Sequence, residues 1–175
     1  SGIFVYNSNL IKKVYFPREI LPISSVTAGL INFLISCIII VIFVLLGGVG
    51  LSWHLIFLPL LAVIQYIFTL ALVFLISSIN VYVRDVEYIV VFILNMLFYA
   101  TPVLYSYEMF EGTKLIWLFR LNPMAHLINA YRDIFYVHQI PQLMNLLVVF
   151  VCSIILLIIC YLIFKKLEKR FAEEL

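Results

Sequence analysis

Ionisable residues are scarce in this sequence: Asp, Glu, Lys and Arg together make up 11% of its 175 residues, against about a quarter in an ordinary soluble domain. Apolar residues account for 66%. That surplus has no aqueous surface to fold beneath, which excludes a disordered tail, a disulfide-stapled secreted module and a cytosolic enzyme. The net charge of +2 is too small to point to nucleic acid. Cysteine is sparse as well. Cys37, Cys152 and Cys160 lie inside apolar runs without metal-ligand spacing and read as packing residues. None of the six glycines belongs to a phosphate-binding loop followed by Lys and Ser or Thr, so ATP is not bound by that route. His54, His126 and His138 are scattered towards the ends of apolar runs, and Glu108, Glu111 and Asp133 lack the spacing of a catalytic pair. No enzyme activity, cofactor or metal site is expected, and energy for any transport would have to come from a partner.

What the sequence does contain is long uncharged stretches. Residues 20–83 include no Asp, Glu, Lys or Arg, enough for two membrane helices of about 20 residues each. Gly47, Gly48 and Gly50 mark the break between them, with Trp53 and His54 as an interfacial anchor. Further uncharged runs cover 88–107 and 134–164. The expected fold is therefore all-α: a polytopic membrane bundle with spans at about 24–46, 53–78, 88–106 and 143–164. Lys12, Lys13, Arg18, Arg84, Lys165, Lys166, Lys169 and Arg170 fall on one side of this arrangement, against Lys114, Arg120 and Arg132 on the other. By the positive-inside rule both termini are cytoplasmic, with segment 107–140 outside and a basic tail over 165–175. No cleavable signal peptide is expected at the start.

Two amphipathic segments flank or interrupt the spans. Asn9 can cap a short helix that Pro17 must end, with Leu10, Ile11, Val14 and Tyr15 on one arc and Lys12, Lys13 and Phe16 facing away. It suits a basic interfacial helix, or one presenting Phe16 among charges to a partner's pocket. On the other side, Asn122 and Pro123 start a helix whose residues Met124, Leu127, Ile128, Tyr131, Ile134 and Phe135 share one arc, ending by Pro141. With the short apolar run around Trp117 it reads as two helices dipping into the outer leaflet, as a lid or an anchor.

Within the spans, Ser25, Ala28, Gly29, Asn32 and Ser36 form a stripe of small residues that suits a helix-packing seam. Tyr88, Phe92, Asn95 and Tyr99 make a narrow aromatic face. It fits a wall for an amphipathic cargo, or equally a lipid-facing or intersubunit stripe. Pro102 is expected to bend the outer end of that span.

Leu10-Ile11-Lys12-Lys13-Val14-Tyr15-Phe16-Pro17-Arg18-Glu19-Ile20-Leu21-Pro22, Asn80 with Arg84-Asp85-Val86, Thr101-Pro102-Val103-Leu104-Tyr105, and Asn122-Pro123 with Tyr131-Arg132 occur in order along nearly the whole chain. Together they resemble the permease subunit of ATP-binding-cassette exporters of bacterial polysaccharides, of the O-antigen, capsule and teichoic acid types. The resemblance implies a homodimeric channel in the cytoplasmic membrane that moves a lipid-linked polysaccharide and rests on separate ATPase subunits, which bind ATP and Mg. It implies an ATPase-coupling role for Lys12, Lys13, Phe16, Arg18 and Glu19 within a cytosolic segment 1–22, and a cytosolic loop at Asn80, Arg84 and Asp85. It implies a substrate path along Tyr88, Phe92, Asn95, Tyr99 and Tyr105, and an external gate at Trp117, Asn122, Pro123, Tyr131 and Arg132. Such permeases have six spans, so this chain corresponds to the C-terminal two thirds of one. A permease for drugs or small lipids, and a non-transporting scaffold of envelope assembly, are the alternatives.

Overall fold

The computed structural model describes residues 19–48, 50–83, 85–101 and 120–174, without the side chains of 81, 82, 100 and 168–174. The described chain is helical throughout its ordered elements. Helix α1 covers Ile20–Leu46. It begins four residues before the expected span because Pro22 lies in the first turn, where a missing N–H costs nothing. At its far end Gly48 (φ 72°) and Gly50 (φ 80°) take the left-handed backbone that reverses the chain. Ser52 then caps a 3₁₀ turn, Trp53–Phe57, by accepting from the His54 amide at 3.4 Å. The turn leads directly into α2, Leu58–Tyr82.

Helix α3, Val86–Ala100, has 15 residues and is thus about 22 Å long, short of a bilayer core of about 30 Å. The expected bend at Pro102, and the expected span beyond it to 106, lie outside the described residues. Thr101, the residue before Pro102, is extended (ψ 141°), as steric conflict with a following proline requires, and the helix stops. Helix α4 covers Pro123–Arg132 and continues into a π-helical turn, Asp133–Val137. His138 closes that turn in a left-handed conformation (φ 58°), three residues before the proline expected to end it. Helix α5, Leu143–Glu174, is a single element of 32 residues.

Three stretches, Ile20–Leu46, Trp53–Asn80 and Leu143–Leu167, are long and apolar enough to cross a membrane. The protein is an integral membrane protein. Helices α2 and α5 pack along much of their length. Near the Glu19 end, Phe74, Cys160 and Phe164 form a buried cluster, with Leu21 and Tyr161 against it. Phe74 meets Phe164 edge to face at 5.2 Å. Near the Trp53 end, Leu61 and Ile64 of α2, Leu127 and Ala130 of α4, Ile134 of the π turn, and Leu146 and Val149 of α5 form a second cluster. By contrast α1 buries only Pro22, Val26 and Cys37, and α3 keeps most of its side chains exposed.

Candidate functional site

Helix α4 packs against both α2 and α5. Its apolar arc inserts beside α2 and α5, so that Tyr131 reaches the middle of the spans. There the Tyr131 hydroxyl donates to Gln65 Oε1 at 2.8 Å, and its ring meets Phe33 edge to face at 5.5 Å. Phe33 is the central residue of α1 and Gln65 stands near the midpoint of Trp53–Asn80. One tyrosine therefore joins α1, α2 and α4 near the midpoint of the spans.

Asn122 holds the start of α4. Its Oδ1 accepts from the Met124 amide at 3.0 Å, and its Nδ2 donates to Thr101 Oγ1 at 3.2 Å, which ties α4 to the end of α3. Thr101 is buried, and its hydroxyl donates in turn to the Leu97 carbonyl at 2.7 Å. Pro123 occupies the first helical position. Arg132 ends α4 next to Asp133, whose carboxyl is pushed up by burial, with the adjacent Arg132 cation pulling the other way. Trp117 lies outside the described residues.

Tyr88, Phe92, Asn95 and Tyr99 all project from α3 as exposed side chains, Tyr88 at 79% and Tyr99 at 71%. Together with Met96 they form a broad aromatic surface that the described chain leaves uncovered. Tyr105 is outside the described residues.

Asn80 is buried near the end of α2 while Asp85 is exposed at the start of α3; Arg84 between them is not described. Lys12, Lys13, Phe16 and Arg18 also fall outside the described residues. Glu19 falls within them. It stands at the N-cap of α1, yet its carboxylate makes no capping bond. Instead it forms an ion pair with Lys165 and accepts from the Tyr161 hydroxyl at 3.3 Å, both on α5.

Among the described residues, part of the small-residue stripe on α1 faces a cavity. Ser25 and Gly29 line a cavity of about 330 Å³, faced by Phe33, Gln65, Tyr66 and Thr69. A Cβ added at Gly29 would meet nothing within 4 Å. Large side chains on α2 hold the helices apart there, and Thr27 bridges the gap to the Tyr66 hydroxyl at 3.1 Å.

Gln65 and Tyr161 are partners that sequence reasoning passed over, and Thr101 was noted only as part of a motif. An amide at the midpoint of an apolar span was an available signal for Gln65. Among the described residues no group of three or more His, Cys, Asp or Glu could hold a metal ion.

The family model described as ABC-2 type transporter matches residues 3–136. The O-antigen export system permease protein RfbA of Myxococcus xanthus is 36% identical over 169 residues, which are 95% of this chain and 65% of that protein. Two proteins of the same description from Klebsiella pneumoniae are 35% and 34% identical over 174 residues, 98% of this chain and 66% of each relative. The chain thus spans somewhat less than two thirds of the length of these curated relatives.

Proposed function

This chain belongs to the ABC-2 type transporter family, and from that premise we propose that it forms most of the channel subunit of an ATP-driven exporter of lipid-linked polysaccharide. The observation that carries this reading is its identity of 34–36%, over nearly its whole length, with permeases of O-antigen export. The chain supplies the membrane path. A separate ATP-binding-cassette subunit binds ATP with Mg and supplies the energy.

The positive-inside distribution of Lys and Arg orients the bundle with the Glu19 end in the bacterial cytoplasm and the Trp53 end outside. Residues 10–18 then form the coupling surface, on which Phe16 enters a pocket of the ATPase and Lys12, Lys13 and Arg18 surround it with positive charge. Asn80, Arg84 and Asp85 form the second cytosolic contact.

Cargo passes along the exposed face of α3. Tyr88, Phe92 and Tyr99 offer ring faces to the C–H surfaces of sugars, while Asn95 offers an amide to their hydroxyls. Such contacts tolerate many sugars, which suits a polymer moved past the same wall repeatedly. A second copy of the subunit closes the path, as exposed aromatic and aliphatic side chains on α1 and α3 favour. Helix α4 gates the outer end: Asn122 and Pro123 fix its start, and Tyr131 and Arg132 its inner and outer contacts.

Affinity capture of the full-length permease with its ATPase subunit tests this reading. Phe16→Ala or Arg18→Glu is expected to abolish capture while the permease remains in the membrane. Capture unchanged in both variants would refute the coupling surface.

A further inference from the structure

Helix α1 is a poor conduit for force. Among the described residues only Pro22, Val26 and Cys37 of its 27 are buried, so within this chain it has little packing through which to pass a push to the outer end. Helix α5 is the opposite case. It runs unbroken for 32 residues, about 48 Å at helical rise. Phe74, Cys160 and Phe164 fasten it to α2 near one end, and Leu146 and Val149 touch Leu127, Ala130 and Ile134 at the other.

The residue that joins these two helices is Glu19. Its carboxylate forsakes the α1 cap and spans 142 positions of sequence to Tyr161. One oxygen pairs with Lys165, the other accepts from the Tyr161 hydroxyl at 3.3 Å, and the Lys165 ammonium lies 5.9 Å from the centre of the Tyr161 ring. Lys165 is about half exposed and Glu19 about a quarter, so the ion pair alone would hold weakly; the second carboxylate oxygen on Tyr161 and the ammonium near its ring add direction to it. Leu21, two residues on, packs on the same end of α5.

We propose that Glu19, Lys165 and Tyr161 are positioning residues that link the chain segment preceding α1 to α5. Movement of that segment by the ATPase is thereby carried along α5 to α4 rather than through α1. The proposal rests on the export reading above and adds a route to it: Glu19 acts inside the permease and does not touch the ATPase.

The test uses the full-length permease, its ATPase subunit and lipid-linked glycan in vesicles, with Glu19→Lys, Lys165→Glu and the double exchange. Each single variant is expected to retain ATPase capture and its melting temperature, yet to lose glycan-stimulated ATP hydrolysis by at least about fivefold, the scale of a coupling between sites. The double exchange is expected to restore it to within about twofold of the parent, as a direct pairwise interaction requires. Unchanged stimulation in the single variants, or a double variant no better than the worse single one, would overturn the proposal. Should Glu19→Lys misfold, the milder Glu19→Gln must show the same loss with capture retained.

A separate arm reads the joint without transport. Cysteines at 19 and 165, in a permease with Cys37, Cys152 and Cys160 replaced by Ala, are expected to be joined by a short thiol cross-linker, and failure to join would overturn the geometry. A parent permease that captures no ATPase would instead defeat the export reading, and the coupling role with it, whatever the cross-link shows.

Discussion

Tyr131 joins three helices at mid-span, and its two contacts can be removed one at a time. Tyr131→Phe keeps the ring on Phe33 and deletes the hydroxyl that donates to Gln65 Oε1. In a soluble core the stranded acceptor would cost about 1–3 kcal/mol. Within a membrane the unfolded state also finds partners for polar groups, and pairwise hydrogen bonds between helices average about 0.6 kcal/mol with a ceiling near 1.7. Ser25, Tyr66 and Thr69 share a cavity with Gln65 and can replace part of the bond, so a loss near the average of that range, about 0.5–1 kcal/mol, is expected. Tyr131→Leu removes the edge-to-face pair as well and should cost a further ~0.5–1.5 kcal/mol. The double variant Tyr131→Phe with Gln65→Leu replaces both polar partners and should recover most of the single losses. Reversible unfolding of the purified permease in mixed micelles, titrated with a denaturing detergent, measures all five proteins: the parent, Tyr131→Phe, Tyr131→Leu, Gln65→Leu and the double variant. A Tyr131→Phe permease as stable as the parent, or a double variant whose loss is the sum of the singles, would refute the mid-span junction.

The remaining predictions address the turn, the π-helical segment and the orientation. Gly48→Val should destabilise the permease by about 1–2 kcal/mol through backbone strain alone, because a Cβ there meets nothing within 4 Å; Gly29→Ala, by the same detergent titration, should be nearly silent. Burial raises the Asp133 carboxyl above its unfolded value, so its unfavourable contribution is absent below the ordinary carboxylate range and grows as pH rises through it. Asp133→Asn should therefore raise the melting temperature at pH 7 and leave it unchanged near pH 4; equal effects at both would contradict the burial argument. A membrane-impermeant thiol reagent applied to intact cells should label a cysteine introduced at Tyr136 and spare one at Ser8, and the reverse pattern would invert the bundle.

Charge-free runs and glycines made the helices and the first turn legible, because bilayer length and left-handed backbone are local requirements. Boundaries set by one residue's backbone were less so. The first span was expected from about residue 24, yet α1 starts at Ile20 with Pro22 in its first turn, and α3 ends at Ala100 with Thr101 extended. Periodicity identified the arc of α4 that contains Leu127, Tyr131 and Ile134, but periodicity says which face is apolar and not how deep it goes. The pairings that define the junctions link residues 66 and 142 positions apart, and no local pattern encodes such separations. Glu19 shows the difference most clearly: the family resemblance implies a coupling role for it, but nothing local points to Lys165 and Tyr161, its side-chain partners on α5.

Export of a glycan driven by a separate ATPase is measured most directly by ATP hydrolysis in vesicles containing the full-length permease and that ATPase. Lipid-linked polysaccharide should accelerate hydrolysis, while amphipathic drugs and short-chain lipids leave the basal rate unchanged. Acceleration by the drugs, or indifference to the glycan, would contradict the account.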